Sequence, residues 1–188
     1  MGEGDADAQL MLRYAAGDAR AFDELYATHR GGLWRFIRRS VRDAAATDDV
    51  FQDCWSRVIA HRENYRPEAR FATWLYRIAH NCCVDYWRRS GRREAREVAD
   101  EAAVLAAADD PAAEPLESAL AGEARERLFG ALDRLPEEQR STFLLYVEGG
   151  LSVAEIGEAM GVGAETAKSR LRYAVARLKQ ALVADARN

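Results

Sequence analysis

The residues whose types and spacing most clearly suggest a chemical role lie in the segment Leu151–Leu182. Ser152 and Glu155 have the spacing of a capping box, in which each side chain bonds the other residue's backbone N–H, so a helix is predicted to begin there. Gly161 is placed to end that helix, and a second helix is predicted to begin after Gly163. The pattern is therefore a helix, a tight turn containing glycine, and a second helix.

The second helix of this pair is basic. A helix, a turn and a basic helix form the helix-turn-helix arrangement, whose second helix enters the major groove of DNA. Its exposed N-terminal face is predicted to carry Lys168, Ser169, Arg172 and Tyr173, groups that reach phosphates and base edges. A helical hairpin with a solvated basic face fits the same pattern, and spacing alone leaves both interpretations open.

A second candidate nucleic-acid segment is Arg70–Arg93, where arginines alternate with aromatic residues. The aromatic members are Phe71, Trp74, Tyr76, Tyr86 and Trp87. Such a mixture can stack unpaired bases and neutralise their phosphates. Helical spacing instead favours the protein core for Phe71, Trp74 and Trp87.

No group of residues indicates an enzyme or a metal centre. His80 and Cys83 share one helix face but supply only two ligands, so neither a metal nor another cofactor is expected. The remaining candidates form neither an acid/base constellation nor a phosphate-binding loop: they are His29, His61 and the glycine pairs Gly31-Gly32 and Gly149-Gly150. We therefore expect a binding protein rather than an enzyme.

The elements that position these residues are predicted to be helices. Apolar residues recur at helical spacing from Leu10 to Trp87, interrupted at Pro67, and the pattern resumes at Leu128. Two apolar faces stand out; they consist of Phe22, Leu25, Tyr26, Leu33, Phe36 and Ile37, and of Val50, Phe51, Cys54, Trp55, Val58 and Ile59. No useful run of alternating residues occurs, so the predicted fold class is all-α.

Charge divides the chain into three parts. The 188 residues carry 27 Lys+Arg and 31 Asp+Glu, and a net charge of −4 would by itself argue against a nucleic-acid-binding protein. Segment 97–124, however, holds eight acidic residues and no Lys or Arg, whereas Tyr86–Arg96 holds five arginines and Glu165–Lys179 five basic residues. The prediction is two small helical domains, 1–96 (a helical bundle) and 125–188 (the helix-turn-helix), joined by a flexible acidic linker, 97–124.

The compartment follows from simple counts. Cys54, Cys82 and Cys83 form no disulfide framework, since their number is odd and two of them are adjacent. The acidic segment Met1–Leu10 does not have the form of a signal peptide, and no window is apolar enough for a membrane span. A cytoplasmic location is therefore expected.

Six short motifs together resemble the sigma factors of bacterial RNA polymerase, of the extracytoplasmic-function (ECF) type. In chain order they are Gly17-Asp18 with Ala21-Phe22 and Leu25; Asp48-Asp49-Val50 with Gln52-Asp53; Phe71-Ala-Thr-Trp74-Leu75 with Arg77-Ile78-Ala79 and Asn81; Asp85-Tyr-Trp-Arg88-Arg89; Leu135-Pro136; and Lys168-Ser169-Arg170-Leu171. The resemblance implies two helical domains and a protein that brings core RNA polymerase to promoters and helps to melt them.

The resemblance also implies roles for three sets of residues. Docking on core polymerase is implied for Asp48, Asp49, Gln52 and Asp53; capture of the single-stranded −10 element for Asn81, Asp85, Arg88 and Arg89; and contact with the duplex −35 element for Lys168, Ser169, Arg172 and Tyr173. The segment Ser90–Glu97 is expected to be a loop that forms one wall of the −10 pocket. A further implied partner is an anti-sigma protein.

The sequence departs from the family pattern at one place and is compatible with one alternative function. Gly163 and Glu165 depart from the family pattern at the start of the basic helix, so a different −35 preference is expected. The alternative function is a helix-turn-helix regulator whose N-terminal helices bind another protein or a ligand.

Overall fold

The computed structural model describes residues 3–94 and 122–185, and every regular element within them is helical. The N-terminal helices are α1 (Glu3–Ala15), α2 (Ala19–Val41), α3 (Ala44–Ala60) and α4 (Phe71–Glu94), with a short 3-10 helix, Arg62–Asn64, between α3 and α4. The C-terminal helices are α5 (Gly122–Asp133), α6 (Glu137–Val147), α7 (Val153–Met160) and α8 (Ala164–Asp185). The predicted all-α class is confirmed.

Helix boundaries follow local side-chain chemistry. The carboxylate of Asp18 accepts from the backbone N–H of Arg20 at the start of α2, and that of Asp43 accepts from Ala45 and Ala46 at the start of α3. These bonds satisfy N–H groups that have no partner within the helix. Pro67 lies between the 3-10 helix and α4, as the predicted break requires.

The main hydrophobic core joins the two groups of helices. Buried residues of α2, α3 and α4, such as Phe36, Val58 and Leu75, belong to the same cluster as Leu144 and Ile156 of the C-terminal helices. A second, smaller cluster lies between α5 and α8; it contains Ala131, Leu132, Leu135, Ala174 and Leu178. The C-terminal helices therefore pack directly on the N-terminal ones.

The predicted linker falls mostly outside the described residues. Its first 25 residues, 97–121, are not among them, and its last three, 122–124, begin α5. Within the described ranges, no helix has both the length and the apolar composition needed to cross a bilayer.

Most of the predicted inward faces are confirmed, with two exceptions. Leu25, Leu33, Phe36 and Ile37 are fully buried in α2. The spacing predicts Ile59 on the inner face of α3, but its side chain is 39% exposed. Ile59 lies in the last turn of α3, where no helix among the described residues packs over it. Tyr146, a member of the apolar pattern of α6, is 51% exposed, while its neighbour Leu145 fills the core.

Candidate functional site

The helix-turn-helix is formed by α7 and α8. The hydroxyl of Ser152 accepts from the N–H of Glu155 at 3.3 Å, and the Glu155 carboxylate accepts from the N–H of Ser152 at 2.8 Å, so the predicted capping box is present in both directions. Gly161 ends α7 with φ +67°, a left-handed conformation that glycine adopts without steric cost. Gly163 precedes α8, which begins at Ala164 as the spacing predicts.

The proposed −35 residues lie together on the outer side of α8. Lys168, Arg172 and Tyr173 are exposed, and Ser169 is partly exposed. The Arg172 guanidinium lies 5.1 Å from the centre of the Tyr173 ring, a cation–π distance. Glu165, which departs from the family pattern, lies 3.6 Å from the Lys168 ammonium, so the two side chains form an ion pair on this surface.

The proposed −10 residues lie along the C-terminal half of α4. Asn81, Arg88 and Arg89 are exposed, whereas the carboxylate of Asp85 lies 3.0 Å from a nitrogen of Arg57 on α3. Arg89 donates from Nε to the backbone carbonyl of Asp85 at 3.1 Å. Asp85 is thus held at its side chain and at its backbone.

Arg57 is a site residue that sequence reasoning missed. Its guanidinium lies 2.9 Å from Asp53, a proposed docking residue, and 3.0 Å from Asp85, a proposed −10 residue. Burial opposes the charge, but the hydrogen bond with Asp85 and the pairing with Asp53 leave the pKa of Arg57 above its ordinary value. The spacing of Asp53 and Arg57, one turn apart, was the available signal; the partner on α4 was not visible from spacing.

The proposed docking residues extend along one side of α3. Asp49 and Gln52 are exposed, Asp53 pairs with Arg57, and Asp48 accepts from the indole N–H of Trp34 at 3.1 Å. This acidic face is accessible to a cationic partner.

Two expectations for α4 need correction. Ser90–Glu94 was expected to begin a loop, but α4 continues to Glu94 because no proline or capping residue interrupts it; the rest of the expected loop lies outside the described residues. Among the aromatic residues, Tyr76 is buried and offers no surface for stacking bases, whereas the burial of Phe71 confirms the core position that its spacing favours.

The cysteines are free and buried, and within the described part of the chain no three His, Cys, Asp or Glu residues are grouped as a metal site. Burial raises the pKa of the Cys83 thiol well above its usual value, which keeps it protonated and unreactive.

Both groups of helices match models of known protein families. The model of sigma-70 region 2 matches residues 25–93, and a model of sigma-70 region 4 matches residues 125–178. The chain is 36% identical to the ECF RNA polymerase sigma factor SigM of Mycobacterium tuberculosis over 179 residues, which cover 94% of this chain and 85% of that protein. The chain belongs to the ECF sigma factors.

An ECF sigma factor directs RNA polymerase in promoter-specific initiation of transcription, and this is the function of the chain. The alternative of an ordinary helix-turn-helix regulator is not favoured, because region 2 of a sigma factor accounts for the N-terminal helices. The proposed docking and −10 residues fall within the region 2 match, and the proposed −35 residues fall within the region 4 match.

Solved structures show the same fold. CnrH, solved in complex with the cytosolic domain of CnrY, superposes with a TM-score of 0.69 at 25% identity, covering 96% of this sigma factor and 99% of CnrH. The sigma factor RpoE of Bartonella quintana, solved with the anti-sigma factor NepR, also gives a TM-score of 0.69 at 22% identity, covering 87% and 98% of the two chains. This second likeness extends to the fold alone.

Proposed function

We propose that three surfaces of this sigma factor divide the work of initiation. The acidic face of α3 docks on core polymerase, the C-terminal half of α4 holds the single-stranded −10 element, and the N-terminal face of α8 binds the duplex −35 element. One observation carries the proposal: all three surfaces are accessible, and they occur in the order of sigma regions 2 and 4.

Polymerase docking rests on charge at α3. Asp48, Asp49 and Asp53 lie with Gln52 on one accessible side of the helix. Carboxylates and an amide in this arrangement suit a partner that presents arginines, which pair with carboxylates through two parallel hydrogen bonds.

Capture of the −10 element rests on α4. Arg88 and Arg89 supply charge for phosphates, and Asn81 supplies an exposed amide that can read the edge of an unpaired base. Asp85 lies between them with its carboxylate shared with Arg57, so it shapes this surface without adding an unpaired negative charge.

Binding of the −35 element rests on α8. Lys168 and Arg172 are exposed near the N-terminus of the second helix of the helix-turn-helix, the part that reaches base edges in the major groove. Ser169 and Tyr173 complete this face. Glu165 adds an acidic group at the same end of the helix, 3.6 Å from the Lys168 ammonium, which supports the proposed difference in −35 preference.

The proposed function also implies where the sigma factor acts and what else it binds. The sigma factor supplies no catalytic group itself; bond formation belongs to the polymerase. It acts in the cytoplasm, where polymerase and promoters are found. An anti-sigma protein is a further partner, as the family resemblance implies; RpoE, which shares the fold, was solved with such a protein.

The deciding experiment is run-off transcription with purified core polymerase and a library of genomic fragments. We expect promoter-specific transcripts only when the sigma factor is present. Duplex DNA binding by the chain alone, with no promoter-specific transcript from any fragment, would instead identify a regulator and refute the proposal.

A further inference from the structure

Two buried thiols face each other where α3 packs against α4. Cys54 of α3 and Cys82 of α4 are fully buried and belong to the main hydrophobic core. The Cys54 thiol donates a hydrogen bond to the sulfur of Cys82, so the two sulfur atoms are direct neighbours. A disulfide has an S–S bond of about 2 Å, and a local shift of the two helices is enough to join sulfurs that are already in contact.

The surroundings of this pair favour Cys82 as the reactive thiol. The hydrogen bond from Cys54 lowers the pKa of Cys82; burial opposes this effect, and the positive charge of Arg57 reinforces it. The carboxylates of Asp53 and Asp85 oppose it less, since Arg57 pairs with both. The same hydrogen bond, together with burial, raises the pKa of the Cys54 thiol, which therefore stays protonated.

Cys83, the next residue along α4, differs from Cys82 although both are fully buried. Successive residues of a helix project about 100° apart, so the two side chains point in different directions. Cys82 is the one that accepts from Cys54, and burial raises the pKa of the Cys83 thiol. The two adjacent cysteines thus form a matched pair, one with a thiol partner on α3 and one without that contact.

The thiol pair lies next to the contact that joins the proposed docking and −10 surfaces. Arg57 is one turn after Cys54 on α3, Asp85 is one turn after Cys82 on α4, and these two charged side chains are 3.0 Å apart. Asn81, a proposed −10 residue, directly precedes Cys82. A bond between the two sulfurs would therefore shift the turns that carry the ion pair.

The cellular setting and the burial of the pair limit which oxidant can reach it. In the cytoplasm, where we expect the sigma factor to act, thiols are kept reduced and disulfides are mostly transient or redox-sensing. The oxidant must reach the sulfurs through local opening of α3 and α4, which admits small molecules before bulky ones. Hydrogen peroxide, close to water in size, meets this requirement.

We propose that Cys54 and Cys82 are a peroxide-sensitive dithiol, and that their oxidation to a disulfide links α3 to α4 and weakens binding of the −10 strand. The first half of this statement is independent of the proposed function, and the second half rests on it.

The oxidation has two steps. The Cys82 thiolate attacks one peroxide oxygen, the O–O bond breaks, and the hydroxide that leaves takes up the proton given up by Cys82 and becomes water; Cys82 is now a sulfenic acid. The Cys54 sulfur then attacks the Cys82 sulfur, the S–S bond forms, the S–O bond breaks, and the hydroxyl group leaves with the Cys54 proton as a second water. Two electrons from two thiols have reduced one hydrogen peroxide to two waters.

Mass spectrometry of the full chain after treatment with hydrogen peroxide tests the bond. Wild type should lose two hydrogen atoms, and its tryptic peptides 43–57 and 78–88 should be linked. Because peptide 78–88 contains both Cys82 and Cys83, the variant C83A identifies the partner: it should form the same link, whereas C82A should not.

Wild type and C83A decide the assignment even if C82A fails to fold. A link between Cys82 and Cys83, loss of the link in C83A, or three free thiols after peroxide treatment would each overturn the proposal. Free thiols are counted in denaturant, because burial shields them from bulky reagents in the folded protein.

Fluorescence anisotropy with single-stranded −10 DNA from a promoter found by run-off tests the second half. Oxidised C83A should bind this strand about 2- to 5-fold more weakly than reduced C83A, the effect of one disrupted ion pair at an exposed site, and dithiothreitol should restore binding. C82A, treated with peroxide in the same way, should bind as before. A disulfide with no change in affinity would overturn the link to DNA binding. Reduced protein without affinity for the strand would instead count against the proposed function, while the disulfide is decided by mass alone.

Discussion

Arg57 is the residue at which the proposed docking and −10 surfaces meet. One guanidinium neutralises Asp53 on α3 and Asp85 on α4. Without it, two carboxylates would be left unpaired near Arg88 and Arg89, where the phosphates of the −10 strand are proposed to bind. Its role is therefore that of a positioning residue for the DNA surface.

We predict that R57Q weakens binding of the −10 strand about 2- to 5-fold, the effect of one uncompensated charge pair at an exposed site. Adding D85N should restore binding, because it removes the Asp85 carboxylate that R57Q leaves without an ion-pair partner. Fluorescence anisotropy with single-stranded DNA from a promoter found by run-off gives the measurement. Failure of D85N to rescue R57Q would mean that Arg57 only stabilises the fold, and a loss with D85N alone would mean that Asp85 itself reads a base.

The −35 surface is tested by removing two cations from α8. The double variant K168A/R172A should weaken binding to duplex −35 DNA by about 30-fold or more, since two contacts to base edges at about 1–3 kcal/mol each sum to at least about 2 kcal/mol. Its affinity for core polymerase should be unchanged. R177A/K179A removes the same charge two turns further along the helix and is the control; equal losses for both variants would contradict the assignment of the face.

Docking is tested by reversing a charge on α3. D49K should reduce affinity for core polymerase by about tenfold, roughly 1.4 kcal/mol, because it replaces attraction to a cationic partner with repulsion. E68K, an exposed reversal in the segment between the 3-10 helix and α4, is the control. An unchanged affinity for core with D49K would exclude this part of α3 from the interface.

At the scale of elements, the sequence predicts most of what the structure contains. The capping box, the turn at Gly161 and the break near Pro67 depend on interactions within a few residues, so spacing is sufficient to predict them. The exposure of Ile59 and Tyr146 depends on whether another helix covers that face. Helical periodicity identifies an apolar face, but it does not show whether another helix packs against that face.

The capping box gives a prediction for α7. S152A should lower the free energy of unfolding by about 1 kcal/mol through loss of the N-cap. Burial tends to raise the pKa of Glu155, but hydrogen bonds from Ser152 and Thr73 and the charge of Arg70 hold it below its ordinary value. Glu155 therefore contributes stability above the pKa of an unfolded glutamate, and that stability is lost as pH falls through the folded-state pKa.

Urea unfolding between pH 7 and pH 3 measures both effects. S152A should be less stable at pH 7, and its difference from wild type should shrink in acid, where the Glu155 carboxylate is protonated in both proteins. S118A, in the segment between the two groups of helices, is the control. A difference that stays constant with pH would show that the Ser152 hydroxyl does not interact with the Glu155 carboxylate, because the backbone N–H of residue 152 bonds that carboxylate in both proteins.

At the scale of the whole molecule, the net charge of −4 is the sum of the opposite charges carried by separate surfaces. Acids on α3 belong to the proposed polymerase surface and cations on α4 and α8 to the proposed DNA surfaces, while Glu148 and Glu155 meet Arg35 and Arg70 between the regions. Local composition predicts the first two groups. The third involves residues more than 80 positions apart, whose pairing depends on tertiary packing that no local pattern records.

This packing predicts how the stability of the whole molecule changes with pH. His80 of α4 is partly buried, its Nδ1 has no hydrogen-bond partner among the described residues, and Arg170 of α8 acts on it from the opposite region. Burial, and then the charge of Arg170, lower the pKa of His80 below that of an exposed histidine. The unfolded chain therefore takes up a proton at a higher pH than the folded chain does.

Stability should consequently be greatest above the unfolded-state pKa of about 6.5 and should fall as pH decreases through and below it. H80Q, which cannot take up the proton, should flatten this dependence between pH 7.5 and pH 5.5 in urea unfolding experiments. H61Q, which changes an exposed histidine away from this contact, is the control. Because Arg170 belongs to region 4, R170Q should also weaken the dependence; an effect of H80Q without any effect of R170Q would locate the cause in burial alone.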